Sequence, residues 1–155
     1  MKHTALCALL LSAIALVALA DDKPKAVAGP KGGKMLDNEK PRAEFFVDKD
    51  RNVVITFYND EMKPVAAAEQ VGLVWAEPKE GRVRLQLQKK DGVLVSEKPL
   101  PAGNDYSVVV RLAANSNSKP QSFKINFNTD VCDKCKLTEY ACTCESHDHD
   151  HDHKH

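Results

Sequence analysis

A chain of 155 residues suits one domain with appendages, and a formal net charge of zero at pH 7 lacks the strongly basic balance that nucleic-acid binding draws on. The zero is a cancellation, since residues 21–129 are mildly basic while residues 130–155 are acidic and attract cations. Beyond residue 20, every cysteine and every histidine falls at or after Cys132, so the soft-ligand chemistry is all at one end.

Residues 1–20 read as an export signal. Lys2 and His3 give a positive start, Ala5 to Leu19 are almost wholly apolar, and Ala18-Leu19-Ala20 places small residues where a signal peptidase cuts. The run is short for a bilayer span, and Cys7 leaves with it. The mature protein is then expected in a periplasm or outside the cell, with four cysteines and no membrane span. Residues 21–41, rich in Lys, Pro and Gly, read as a flexible leader that settles onto the domain near Met35-Leu36.

From Arg42 to Asn128 the apolar residues recur with period two. Phe45 and Val47 alternate with Glu44 and Asp48, and Val53, Ile55 and Phe57 with Thr56 and Tyr58. Val83, Leu85 and Leu87, then Val108, Val110 and Leu112, then Phe123, Ile125 and Phe127 repeat the pattern. Such alternation predicts half-buried antiparallel strands. Val71 to Glu77 around the lone Trp75, and Val93 to Leu100, are two further candidates. Turn signals separate them at Asp48–Asn52, Glu80-Gly81, Asp91-Gly92, Ala102–Asp105 and Asn115–Ser118, with Asp91-Gly92 the strongest hairpin signal. Residues 61–70 form either one helical turn or an extended crossing. The fold class is therefore all-β: an immunoglobulin-like antiparallel β-sandwich of about seven strands over residues 42–129, with a small barrel as the alternative. Its expected core is Phe45, Val53, Ile55, Phe57, Trp75, Leu85, Leu87, Val108, Val110, Leu112, Phe123, Ile125 and Phe127.

Three segments also carry a resemblance. Gly29-Pro-Lys-Gly-Gly-Lys-Met-Leu36, Ala43-Glu-Phe-Phe-Val47, and Val53-Val-Ile-Thr-Phe-Tyr-Asn-Asp60 with Lys63-Pro64-Val65 together resemble the small periplasmic β-rich domain found in and beside heavy-metal efflux adaptor proteins of the RND type. The similarity covers roughly residues 29 to 128 and implies a periplasmic, metal-linked setting. Lys31 stands where that family has a histidine, so no site residue carries over.

Residues 130–145 hold the cysteines as C-x2-C-x6-C-x-C. The Cys132/Cys135 spacing is that of zinc knuckles, where a turn brings two thiolates onto one ion at about 2.3 Å. Cys142 and Cys144 are a closer pair, and four sulfurs would complete one tetrahedral site. The competing reading is two disulfides paired across the motifs, because exported proteins meet an oxidising compartment. Redox exchange at Cys132 and Cys135 ranks last, since no strand-to-helix context surrounds them.

Residues 146–155 carry His147, His149, His151, His153 and His155 at strict i, i+2 spacing with aspartates between. Extended, successive histidines lie on one side about 6.5 Å apart. In a helical turn, His147 and His151 meet instead. The segment resembles the His/Asp-rich loops of periplasmic zinc-uptake binding proteins. Nine residues, the four cysteines and these five histidines, are thus the candidate metal ligands. Zn²⁺ is the leading ion, with Cu⁺ and Ni²⁺ as alternatives, and a metal efflux or uptake component is the expected partner. Catalysis is not expected, because residues 21–146 contain no histidine for a triad or a histidine metal centre. The rival function is a secreted interaction or adhesion sandwich with a disulfide-stapled C-terminus.

Overall fold

In the computed structural model, residues 27–36 and 40–144 are described. The export segment and the five tail histidines lie outside them. Among the described residues, no helix is long and apolar enough to cross a membrane.

The alternating sequence forms an all-β antiparallel arrangement, as its period demands, with nine strands among the described residues rather than about seven. These are β1 (Lys34–Leu36), β2 (Arg42–Val47), β3 (Val53–Tyr58), β4 (Pro64–Val65), β5 (Val71–Glu77), β6 (Val83–Lys90), β7 (Val93–Ser96), β8 (Tyr106–Ala113) and β9 (Gln121–Phe127). The two additions, β1 and β4, are too short for periodicity to register. β1 brings the chain into the sheet before Arg42, pairing Lys34 with Phe45 and Leu36 with Ala43. β4 pairs Val65 with Phe57, and the residues after it are extended rather than helical.

Neighbours run β1-β2-β3-β7-β6-β5-β8-β9, with β4 beside β3. β6 belongs to both layers of the sandwich: Val83 to Gln86 pair with β5, and Leu87 to Lys90 pair with β7. A single ribbon therefore bends round on itself, close to a barrel, and leaves a seam between edge strands β1 and β9. The β6–β7 hairpin turns on Asp91 and Gly92, both left-handed at φ 49° and 80°, the geometry that matches hairpin twist and that Asp-Gly adopts at little cost.

Phe45, Val53, Ile55, Phe57, Val74, Leu85, Val108, Val110, Ile125 and Phe127 fill the core. Two expectations fail here for identifiable reasons. Trp75 lies outside the core, because on β5 it is Gly72, Val74 and Ala76 that face inward; the tryptophan sits on the outer face under Arg82. Glu44, Thr56 and Tyr58, expected to face solvent, are buried. The Gly29–Gly33 turn covers that outer face. The Glu44 carboxylate accepts hydrogen bonds from the Lys31 and Gly33 amides at 3.0 and 2.8 Å and from the Tyr58 hydroxyl at 2.5 Å. Burial first, then the Glu44 carboxylate, holds the Tyr58 hydroxyl in its protonated, donating form by pushing its pKa up. A side chain at Gly33 would meet the Phe45 carbonyl oxygen at 2.3 Å, so only glycine allows the turn to lie this close.

Candidate metal centre

The chain leaves β9 at Phe127 and turns back within four residues. Val131 bridges to Thr138, the Cys132 amide donates to the Leu137 carbonyl at 2.8 Å, and the Lys136 amide donates to the Cys132 carbonyl at 2.9 Å. Lys136 takes a left-handed conformation, φ 60°, to close this knuckle. Cys132 and Cys135 thus project from one tight turn, as their spacing predicts. A 3-10 turn, Glu139–Ala141, then reverses the chain. Beyond it Cys142, at φ −58° and ψ 132°, leads the chain on to Cys144, and both sulfurs reach the same cluster.

The two pairs converge. Cys142 Sγ lies 3.4 Å from Cys132 Sγ and 3.6 Å from Cys135 Sγ, and Cys132 Sγ lies 3.8 Å from Cys144 Sγ. All four sulfurs fall within 4.8 Å of one another, and all four are free thiols. A tetrahedron with metal–sulfur bonds of about 2.3 Å has edges of roughly 3.8 Å, so the donor set fits a four-thiolate ion with little movement. Cys132 is buried, while the other three are partly exposed and open the site to exchange.

Electrostatics divides the thiols. The Leu137 amide, opposed by burial and helped by the Thr143 amide and the Cys142 and Cys132 thiols, lowers Cys135 to about 6. At Cys142 the Cys144 amide favours the thiolate, but burial and the surrounding sulfurs outweigh it and push the thiol up to about 12. Cys144 is also raised, since its hydrogen bond from Cys142 is outweighed by burial and the other sulfurs. One thiolate is therefore ready at neutral pH. A cation would supply the charge that lets Cys142 and Cys144 ionise.

The cluster is seated on the seam. Tyr140 is buried, stacked on Phe127 with centroids 5.7 Å apart and edge-on to Phe45 at 5.6 Å. Its hydroxyl accepts from the Val47 amide at 3.2 Å, and its own amide donates to the Asn128 carbonyl at 3.0 Å. Ala141 is buried beside it, and the 3-10 turn touches both β9 and β1. Burial comes first in raising the Tyr140 pKa, which keeps the ring neutral. The structure thus brings together the four predicted cysteines. It adds Tyr140 and the Leu137 amide, which no cysteine spacing reveals; a lone aromatic inside a polar, cysteine-rich segment was the available signal.

No family model, curated protein or solved structure matches the chain.

Proposed function

We propose that this is an exported transition-metal-binding protein that buffers, sequesters or hands over Zn²⁺, with Cu⁺ or Ni²⁺ as alternatives, in a periplasm or outside the cell. The observation that carries the reading is the four-thiol cluster, whose sulfur separations suit one tetrahedral ion. Cys132, Cys135, Cys142 and Cys144 are the tighter site. His147, His149, His151, His153 and His155 are a weaker collector that loses metal as the imidazoles protonate below about pH 6. The export signal supports the compartment, and the resemblance to efflux-adaptor domains supports an efflux or uptake component as partner. The role is binding rather than catalysis, with the sandwich as carrier.

The disulfide alternative keeps one specific observation in its favour: Cys132 with Cys144, and Cys135 with Cys142, are separate sulfur contacts that span the two motifs. Native mass spectrometry of the mature protein, isolated unreduced from its own compartment, separates the two readings. A mass raised by one bound metal, with four thiols reactive after stripping, is the expected result. A bare mass lighter by four hydrogens would assign the cluster to disulfides and the protein to the interaction class.

A further inference from the structure

The metal reading leaves the outer face of the β5-β6-β8-β9 layer without a role. Two registers cross it: Arg84, Trp75, Val109 and Lys124 in one row, and Gln86, Leu73, Arg111 and Ser122 in the next. At its centre Leu73, Trp75 and Val109 are only partly covered. Around them stand Arg84, Arg111 and Lys124, all exposed, and Arg82, whose guanidinium lies 4.3 Å from the Trp75 ring centroid. Glu77 at the rim is already engaged by Arg82, Nε to Oε1 3.2 Å. An aromatic platform framed by cations is shaped for an extended, acidic polypeptide that lays apolar stems on the ring and carboxylates on the guanidinium groups.

The chain carries an acidic segment that follows the cysteine knuckle. Residues 145–155 contain Glu145, Asp148, Asp150 and Asp152 and continue from Cys144, in the segment whose Tyr140 amide is bonded to Asn128 just past β9. Eleven extended residues reach about 36 Å, whereas Trp75 lies two strand spacings, roughly 10 Å, across from β9 and four residues, roughly 13 Å, along it from Asn128. Tethering adds a high effective concentration to the opposite charges. The alternation of the tail has a consequence as well. In an extended segment Asp148, Asp150 and Asp152 lie along one edge and the histidines along the other.

We propose that the Trp75 face is the docking surface for the chain's own acidic C-terminal segment, aspartate edge inward on Arg82, Arg84, Arg111 and Lys124, leaving the histidine edge outward and open to metal. The docking holds whatever ion the cysteines carry, so its test is run without metal.

Trp75 is the single tryptophan and reports its own cover. The full mature chain, reduced and chelator-treated, is compared with Asp148→Asn/Asp150→Asn/Asp152→Asn and with Arg111→Gln/Lys124→Gln by acrylamide quenching of its fluorescence. All five histidines remain, and Arg111 and Lys124 are exposed, so the fold is kept. At about 0.02 M salt both variants are expected to be quenched about twofold more than the parent, as when a cover of exposed ion pairs is lifted. At about 0.5 M salt the difference disappears. Equal quenching of parent and aspartate variant at low salt overturns the proposal. Protection that grows with protein concentration also overturns it, assigning the face to a second copy.

Discussion

The sandwich and the cysteine segment share one seam but are held by different forces. The body from β2 to β9 closes by repeated apolar burial, each large side chain contributing roughly 1.5–3 kcal/mol before the opposing entropy. Residues 130–144 bury little beyond Cys132, Tyr140 and Ala141, and depend on turn hydrogen bonds and four sulfurs. The lesson is one of construction: the body stands on apolar burial, while the knuckle rests on turn hydrogen bonds and on a thiol cluster that could hold an ion.

The largest expected effect falls on the knuckle alone. Replacing Cys135 and Cys142 by Ser removes half of the tetrahedron, and binding worth on the order of 10 kcal/mol in structural zinc sites is lost. Zinc competition titration should show the collapse, with far-ultraviolet circular dichroism unchanged. A parallel loss of strand signal would erase the distinction between the two regions.

Tyr140 is where the regions meet. Tyr140→Ala should lower unfolding free energy by about 3–5 kcal/mol in urea titrations, because the ring fills space between Phe45 and Phe127. Tyr140→Phe keeps the packing and loses only the bond from Val47, a change of about 1 kcal/mol. If the alanine variant were as stable as the parent, the cysteine segment would be an appendage rather than part of the core.

Glu44→Gln is a comparable probe placed in the body. It removes the charge from three hydrogen bonds and should lower stability by about 1.5–3 kcal/mol in the same titration while leaving zinc affinity intact.

The thiols offer a pH test. In stripped protein Cys135, lowered to about 6, should be alkylated first at pH 7 and should slow as pH falls through 6, whereas Cys142, pushed up to about 12, should stay protected. The sign for stability follows from the same directions. Cys135 stabilises the metal-free fold above the ordinary thiol pKa and loses that contribution as pH falls toward 6. Cys142 stabilises below the ordinary thiol value and loses its contribution as pH rises toward 12. Mass mapping of the alkylated cysteines reads the order directly.

The smallest effect is an exposed control. Lys40→Ala breaks the Lys40–Asp60 ion pair and should change stability by roughly 0.5 kcal/mol or less, less still in salt.

Much of this was legible before any coordinates. Period-two alternation located five strands and two further candidates became β5 and β7, Asp91-Gly92 marked its hairpin, and C-x2-C with C-x-C marked four sulfurs able to meet on one ion. The reading missed in two places, for two different reasons. Glu44 looks like a solvent-facing residue until the Gly29–Gly33 turn covers it. Trp75 looks like core until the phase of β5 puts the smaller Gly72, Val74 and Ala76 inside.

By itself, the sequence determined local geometry: which stretches alternate as strands, where the chain turns, and which thiols share a turn. Those properties depend on neighbours within a few residues. The tertiary structure decided what no local pattern encodes. It bent one ribbon through β6 into two layers, left a seam between β1 and β9, and used Tyr140 to plant the cysteine knuckle there. Closure of a sheet depends on twist accumulated over many strands, and burial of Tyr140 against Phe45 depends on residues nearly a hundred positions apart.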